Sequence, residues 1–399
     1  MISALDCDVR PGFGLGIFEL GTSLWNVLDL LRRMQHAFPQ VDVKYDTDAA
    51  STSPIILHIR PHLDLLFSGK QQRLHTIVLR KLRLGDPPVT LRYKDIVLSS
   101  PEDALKRVFV SRTFGPTYPC PGDDLTADLR YPGVWFSFEE DGMGDGLKGI
   151  QAEDRMQEVK RVIVSQKELD GEDRDALGEL VECAAMNGDI SRAIVKVHEG
   201  ITLYFHPSST TKPVNIRVGE TTAQDLILDL GPPIRVHHKE DERMTIHSTS
   251  CSGGNAEPAY FYNYFQHGLD FLLSPTHVVI KIILHSNIPG SPLFQRYKRC
   301  NWEIEGRPED DEDGQISMPQ FSHAAYLDAD TPPRKRFHDR FETISHFLSP
   351  SEPPPSMLLD RTDDDEAITL PSATTRLHGY DGIILEVSES SQVVAVMLF

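Results

Sequence analysis

The sequence predicts an α+β fold in which about four units, each a helix followed by antiparallel strands, pack into one elongated β-rich array. The first observation is a strand–turn–strand pattern that occurs four times, with the aromatic and β-branched side chains typical of strands. The second is that three helices end alike, at a Gly-Pro or Ser-Pro pair that cannot continue a helix. A pattern that recurs in fixed order indicates repeated supersecondary units, and independent α+β domains are the alternative. The four hairpins are LDLLF…LHTIVLR, VWFSF…VKRVIVS, LDFLL…VVIKIILH and IILEV…VVAVMLF.

The first predicted unit covers residues 1–86 and contains one helix. A strand at 13–20 precedes it, and Gly21-Thr22-Ser23 supplies the N-cap residues. Apolar residues then recur at helical spacing from Leu24 until Pro39 closes the helix. The strands predicted after this helix are Val41–Tyr45, Pro54–Arg60, Leu63–Phe67 and Leu74–Lys81.

The second predicted unit covers residues 87–196 and is interrupted by an insertion. The strand Val89–Val97 leads into a helix that starts at Ser99 and ends near Gly115. The insertion, 139–195, is acidic and Gly-rich at first and then contains a polar helix at 167–187. The remaining strands predicted here are Leu125–Arg130, Val134–Phe138 and Val159–Ser165.

The third predicted unit, 197–304, holds the clearest copy of the repeat. Tyr260–Gly290 contains three closely spaced strand-like runs and therefore predicts a β-meander. Residues 305–339 are acidic, then Pro-rich and basic, and predict a linker or mobile loop. The fourth unit, 340–399, starts with a helix at Arg340–Leu348. The other elements predicted in these units are a helix at 219–230 and strands at Ile201–Phe205, Val214–Val218, Ile234–His238, Met244–His247, Gly382–Val387 and Gln392–Phe399.

The composition of the chain excludes several classes of function. Lys and Arg total 40 against 59 Asp and Glu, so the net charge of −19 removes the usual driving force for nucleic-acid binding. Anionic lipid would need a local basic patch. The five cysteines are scattered without a CxxC motif, which favours a reduced, intracellular protein. No apolar run is long enough for a membrane span and the N-terminus does not resemble a signal peptide, so we expect neither.

Glycine and histidine motifs do not predict a cofactor or a metal. The glycines of residues 12–16 precede or enter a strand, whereas a dinucleotide loop lies between a strand and a helix. His58 and His62, like the adjacent His237 and His238, lack companion ligands at the spacing of a metal site. We therefore expect no cofactor and no bound metal.

The remaining charged and reactive residues have simple interpretations. Cys120 and Cys300 could act as nucleophiles only beside a base, and buried small apolar side chains are the simpler interpretation. The acidic runs 309–313 and 363–366 lack the EF-hand pattern and predict solvated loops. The basic cluster of Arg334, Lys335 and Arg336 is a candidate lipid patch or nuclear signal, although a soluble linker beside acidic loops is the favoured interpretation.

A specific pattern at residues 261–300 resembles the phagosome assembly factor family. The likeness extends to residues 219–247 and to the first LDLLF hairpin, and it covers most of the chain in order. The long insertions at 139–195 and 305–340 depart from the family and inherit nothing from it. The pattern consists of Asn263-Tyr264-Phe265, Gly268, Asp270, Lys281, Leu284-His285, Asn287, Pro289-Gly290, Tyr297 and Arg299-Cys300.

This resemblance implies a cytoplasmic autophagy protein that is not an enzyme. Animal members of the family pair with a β-propeller protein, and that complex associates with phosphoinositides at the phagophore assembly site. We therefore expect an interaction or scaffold subunit that reaches membrane through its complex. The alternatives are a stand-alone phosphoinositide-binding protein and an unrecognised cysteine or metal hydrolase. The candidate partner-contact residues are Lys281, His285, Asn287, Arg299 and Cys300.

Overall fold

The structure is a computed structural model in which the chain forms two compact units, Met1–Met186 and Asn187–Phe399. Among the described residues, no helix is long and apolar enough to cross a membrane. The structure describes residues 5–80, 82, 89–116, 128–138, 156–166, 180–239, 258–306, 332–350, 354–360 and 374–399.

The described residues of the first unit form strands and two α-helices. Helix α1 begins after Ser23, whose hydroxyl accepts a hydrogen bond from the backbone amide of Asn26 at 3.2 Å. Its apolar face is buried at Leu24, Val27 and Leu31. In chain order the elements are β1 (Leu5–Arg10), β2 (Gly14–Leu15), β3 (Phe18–Glu19), α1 (Leu24–Arg33), β4 (Val41–Lys44), β5 (Ile55–Ile59), β6 (Leu63–Phe67), β7 (Leu74–Arg80), β8 (Val89–Tyr93), β9 (Ile96–Ser99), α2 (Arg107–Phe114), β10 (Leu129–Tyr131), β11 (Val134–Ser137) and β12 (Arg161–Ser165).

These strands form two sheets. The smaller sheet has the order β3-β2-β1-β8-β9, and the larger has the order β10-β11-β12-β7-β6-β5-β4. Strands β1 and β8 pair in parallel, whereas the larger sheet is antiparallel throughout. Apolar side chains such as Leu57, Leu65, Ile77 and Phe136 are fully buried, so one face of the larger sheet lies on the core.

The second unit repeats this arrangement. Its helix α3 begins with a capping box, in which the side chains and backbone amides of Thr222 and Asp225 bond reciprocally. In chain order the elements are β13 (Ile190–Lys196), β14 (Gly200–Phe205), β15 (Val214–Arg217), α3 (Ala223–Leu230), β16 (Arg235–His238), β17 (Tyr260–Tyr264), β18 (Leu269–Leu273), β19 (Val279–His285), β20 (Trp302–Glu305), β21 (Arg334–Arg336), α4 (Phe341–Leu348), β22 (Ser356–Asp360), β23 (Thr374–Tyr380), β24 (Ile383–Val387) and β25 (Val393–Leu398).

The sheets of the second unit match those of the first strand for strand. Their orders are β15-β14-β13-β20-β21 and β16-β17-β18-β19-β25-β24-β23-β22, again with one parallel pair, β13 with β20. Only β22 has no described counterpart in the first unit. Local details agree as well, because Gly21 and Gly219 have φ angles of 87° and 82°. The amide of each of these glycines donates to the first residue of a matching strand, Leu74 or Val279, at 2.8 Å.

The structure confirms the coarser part of the predicted fold class. The described residues form a β-rich chain with four α-helices and several antiparallel sheets. The structure divides into two compact units, and this division does not test the four predicted units. The four units and their residue limits therefore stay predictions.

Several predicted elements were wrong in detail. Residues 13–20 and Val89–Val97 each form a hairpin of two strands rather than one strand. The helix predicted from Ser99 begins at Arg107, and Ser99 itself ends β9.

The predicted insertion and the predicted linker each contain a strand that was not predicted. Strand β13 starts inside the predicted insertion 139–195, and β21 lies inside the predicted linker 305–339. Of the helix predicted at 167–187, residues 184–186 form a 3-10 turn, and residues 167–179 lie outside the described part. The strand predicted at 244–247 also lies outside it.

Candidate functional site

The family-like pattern converges on the outer face of the larger sheet in the second unit. Along β18, the alternation of side chains turns Leu269 and Phe271 into the apolar core and Asp270 to the opposite face. The chain that leaves β19 returns over this opposite face as residues 286–300, which we call the cover segment. Ile288, Tyr297 and Cys300 of the cover segment are each at most 5% exposed, so the segment is packed in place.

Asp270 is the centre of the polar contacts beneath the cover segment. Its Oδ1 atom accepts a hydrogen bond from Asn263 Nδ2 at 2.7 Å. Its Oδ2 atom accepts from Tyr297 Oη at 2.7 Å and from His285 Nε2 at 2.9 Å. An ionised carboxylate can only accept, so His285 carries its proton on Nε2. Three donors therefore offset the cost of burying one carboxylate.

His285 is held by stacking as well as by this hydrogen bond. Its ring lies parallel to the Tyr297 ring, with 3.7 Å between centroids and 15° between planes. Its Nδ1 atom is buried without a hydrogen-bond partner among the described residues. The histidine thus fixes the position of Tyr297, which links the cover segment to the carboxylate on the sheet.

Arg299 fastens the other end of the cover segment. Its Nε donates to the carbonyl of Ser286 at 2.8 Å, and its guanidinium stacks over the Phe337 ring at 5.0 Å. Burial lowers the pKa of Arg299 to about 9, so the side chain still carries its charge at neutral pH. Removing this side chain would leave buried backbone carbonyls with fewer donors.

Asn287 and its neighbours shape the turn at the start of the cover segment. Asn287 has a φ of 45°, in the left-handed region that asparagine tolerates better than most residues. Its Oδ1 accepts from the backbone amide of Gln295 at 2.9 Å, which closes the turn. Ser286, directly before it, accepts a hydrogen bond at Oγ from Trp302 Nε1 at 3.0 Å.

Lys281 and Cys300 stand apart from these contacts. Lys281 is half-buried, four residues before His285 on the same strand face, and its ammonium makes no ion pair with a described residue. Cys300 is fully buried, and burial raises the pKa of its thiol. A thiol that is buried and protonated is a poor nucleophile.

A cavity of about 310 Å³ opens beside this network. Its polar lining includes Asp270, His285 and Tyr297 on one side and Arg235 and His237 of β16 on the other. The lining carries both signs of charge, since it also includes Glu386 and Arg296.

An equivalent carboxylate lies in the first unit, which the sequence analysis did not find. Asp64 on β6 accepts from His58 Nδ1 and from Arg80 Nη2, both at 2.6 Å. The strand register places His58 opposite Asp64 as it places Asn263 opposite Asp270. The signal was present in the hairpin sequences, since LDLLF and LDFLL carry their aspartates at the same position.

The basic cluster lies on β21 at the edge of the smaller sheet, and acidic partners occupy two of its side chains. Arg334 donates to Glu305 at 2.8 Å, and Arg336 lies 3.4 Å from Glu303. Lys335 lies over the ring of Phe347, with its Nζ 5.5 Å from the ring centroid. These contacts reduce the positive charge that the cluster presents.

The other predicted residues do not come together. His58 belongs to the Asp64 contacts, His62 is buried, and His237 and His238 are exposed on β16. No group of three or more metal-binding side chains lies within the described ranges. Cys120 and the acidic runs 309–313 and 363–366 lie outside those ranges.

The chain is similar to one known family of proteins over nearly its whole length. The family model of phagosome assembly factor 1 matches residues 14–399. A PHAF1 protein of Arabidopsis thaliana is 25% identical over 413 residues, which covers 98% of this chain and 92% of the relative. PHAF1 proteins of Caenorhabditis elegans and Drosophila melanogaster are 24% and 25% identical and cover 96% and 99% of this chain, and 90% and 94% of their own lengths. No solved structure matches the chain significantly. The chain therefore belongs to the phagosome assembly factor 1 family.

Proposed function

We propose that the protein is a non-catalytic interaction subunit of a complex that acts in autophagy. In this proposal it is cytoplasmic, pairs with a β-propeller protein and is recruited with it to the phagophore assembly site. Contact with phosphoinositide membrane is made through the complex. The family membership over residues 14–399 supports a role in phagosome assembly. The β-propeller partner and the recruitment to the phagophore assembly site are what the family resemblance implies.

One structural observation carries the non-catalytic part of this proposal. Asp270, Tyr297, Arg299 and the Nε2 atom of His285 form hydrogen bonds with one another or with the cover segment. Side chains committed in this way shape a fixed surface. A catalytic His–Asp pair would instead need a nucleophile or substrate within reach of the histidine.

The prediction of four repeated helix-plus-strand units is part of the same proposal. Four helix-plus-strand units packed into one array would present several sheet surfaces to a partner. The matching strand orders of the two compact units support a repeated design at the level of whole units.

The proposal is tested by affinity purification of the tagged full chain from starved cells, followed by mass spectrometry. We expect a β-propeller protein to co-purify in near-equal amount, and to be absent from a mock purification. Recovery of the chain without any propeller protein would contradict the proposal.

The alternative of direct lipid binding rests on the cluster at Arg334, Lys335 and Arg336. Because Glu303 and Glu305 pair with the arginines, we expect charge reversal of all three residues to leave liposome flotation unchanged. A loss of flotation in that variant would favour the stand-alone lipid binder.

The alternative of a cysteine hydrolase rests on Cys300. A Cys300→Ser chain is expected to keep full cellular function, since the thiol is buried and protonated. Loss of function by a variant that remains folded would favour the hydrolase.

A further inference from the structure

The outer face of the larger sheet has the same pattern of side chains in both units. At its centre an aspartate lies opposite a β-branched residue of the next strand and bonds to the side chain two positions further along that strand. The apolar residue two positions after the aspartate lies opposite another apolar residue on the preceding strand. The two faces are therefore counterparts. The equivalent pairs, first unit before second, are Asp64 and Asp270, Val78 and Ile283, Arg80 and His285, Leu66 and Leu272, and Ile56 and Phe261.

The second unit shows what such a face binds. The cover segment lies over it, with the Tyr297 ring stacked on His285 at 3.7 Å between centroids. The Tyr297 hydroxyl donates to Asp270 at 2.7 Å, and both oxygens of this carboxylate accept hydrogen bonds. Leu293 of the same segment lines the cavity beside Phe261. A tyrosine carried by a partly apolar segment is therefore an occupant that fits this pattern.

The Asp64 carboxylate of the first unit has one oxygen to spare. Its Oδ1 atom accepts the hydrogen bonds from His58 and Arg80, whereas Oδ2 has no partner among the described residues. The Asp64 side chain is 17% exposed, against 6% for Asp270. An ionised carboxylate oxygen that can be reached is a strong acceptor for a hydroxyl donor.

The first unit has a shorter connection at the place of the cover segment. Residues 81–88 join β7 to β8, and this connection is half as long as residues 286–301 between β19 and β20. Within 81–88 the structure describes Leu82. On the sheet itself Ile56, Leu66 and Val78 are half-buried rather than buried, so this apolar surface can still make contacts.

Arg80 supplies a stacking surface where the second unit has His285. A guanidinium stacks on aromatic rings, and this one is already fixed by its bond to Asp64. A tyrosine placed over Arg80 can therefore donate to Asp64 as Tyr297 donates to Asp270. The Arg80 charge offsets that of Asp64, so a neutral donor is favoured over a further cation.

We propose that the outer face around Asp64 docks a tyrosine-bearing turn of a partner protein, whose apolar side chains lie on Leu66 and Val78. The tyrosine hydroxyl donates to Asp64 Oδ2, and its ring stacks on Arg80. The partner thus supplies to the first unit what the cover segment supplies to the second. This inference rests on the proposed function in requiring a protein partner.

Binding of two labelled peptides to the full chain tests the site. One fluorescein-labelled probe has the sequence of residues 286–300 with Cys300→Ser, and the other differs from it only by Tyr297→Phe. Both probes carry the same charge, so the acidic chain attracts them equally. In fluorescence anisotropy we expect the tyrosine probe to bind about tenfold more tightly, because its hydroxyl bonds to a carboxylate. Equal binding of the two probes would overturn the proposal.

Two variants of the chain locate the binding. Asp64→Asn removes the charge of the acceptor and is expected to reduce the preference for the tyrosine probe to about twofold. Leu66→Glu places a charge on the apolar part of the face and should weaken binding of both probes by about tenfold. The matched control, Met357→Glu on β22, changes a side chain that is 63% exposed and should leave binding within about twofold. A tenfold preference that survives Asp64→Asn would refute the site.

The outcomes separate this site from the proposed function. If circular dichroism shows that Leu66→Glu has unfolded, Asp64→Asn decides, because asparagine has the shape of aspartate. A homodimer that Leu66→Glu dissociates would show that a second copy occupies the face and would overturn the proposal. A chain that co-purifies with a propeller protein yet does not discriminate the probes would refute the site and leave the proposed function standing. Discrimination of the probes by a chain that recovers no propeller protein would support the site and contradict the proposed function.

Discussion

At the scale of single residues, one buried carboxylate connects three separate parts of the chain. Asp270 joins Asn263 on β17, His285 at the end of β19 and Tyr297 in the cover segment. Resemblance selected His285 as a candidate, but no sequence pattern could show that its partner is Asp270, because the cross-strand register brings them together. For the same reason the sequence could not predict the contacts of Asp64, whose partners Arg80 and His58 are on two neighbouring strands.

Replacement of Asp270 tests this arrangement. Asp270→Ala leaves the buried His285 and Tyr297 and the half-buried Asn263 without their acceptor, so we expect a loss of about 3 kcal/mol in the free energy of unfolding, measured with urea. The control is Asp381→Ala, since Asp381 faces His198 with 83% of its side chain exposed, and a change below about 1 kcal/mol is expected there. Equal effects of the two substitutions would contradict the structural role of Asp270.

The buried side chain of His267 is expected to make the stability of the fold depend on pH. Burial, helped by the nearby charge of Lys298, lowers the pKa of His267 from 6.5 to about 4. Between these values the unfolded chain binds a proton that the folded chain does not, so stability falls as the pH drops from 6.5 towards 4. His267→Gln should flatten this part of the pH profile, whereas the exposed His237→Gln should not. A profile unchanged by His267→Gln would show that other groups cause the loss.

At the scale of elements, the sequence predicted the strands that pair with a strand nearby in the chain. The runs Leu63–Phe67 and Leu269–Leu273 are short and mostly apolar and lie beside short turns, and the structure contains both strands as predicted. Strands β1 and β13 were missed, because each pairs in parallel with a strand far away in the sequence. Nothing near Ile190 marks a partner at Trp302.

The capping box at the start of α3 is expected to stabilise the protein. Thr222 Oγ1 accepts from the amide of Asp225 at 3.3 Å, and Asp225 accepts from the amide of Thr222 at 2.9 Å. Thr222→Ala should therefore cost about 1 kcal/mol in urea unfolding. Arg340→Ala at the start of α4 is the control, because that side chain makes no capping bond. A control as destabilised as Thr222→Ala would mean that the cap is not the cause.

At the scale of the whole molecule, the repeated hairpins correctly indicated a β-rich chain but not its division. In the described part of each compact unit there are two α-helices and two sheets, and the strands that complete a sheet come from both ends of the unit. In the second unit, β25 pairs with β19 in the middle of the larger sheet. This long-range closure is invisible to a reading of local patterns.

The second unit is expected to fold by itself. Its apolar core extends from Ile190 to Leu398 and includes the fully buried Trp302. A fragment of residues 187–399 should unfold in one cooperative step by circular dichroism and tryptophan fluorescence. A fragment of residues 187–350 lacks β25 and should not, and a cooperative transition in the shorter fragment would contradict this account of the core.

The central claim is that the protein acts as one subunit of a complex. Native mass spectrometry of the chain purified at its cellular level tests this directly, because the chain alone has a mass of 44.8 kDa. The account predicts a species heavier by the mass of one β-propeller protein, which dissociates into the two chains on activation. A sole species of 44.8 kDa under conditions that preserve other complexes would contradict it.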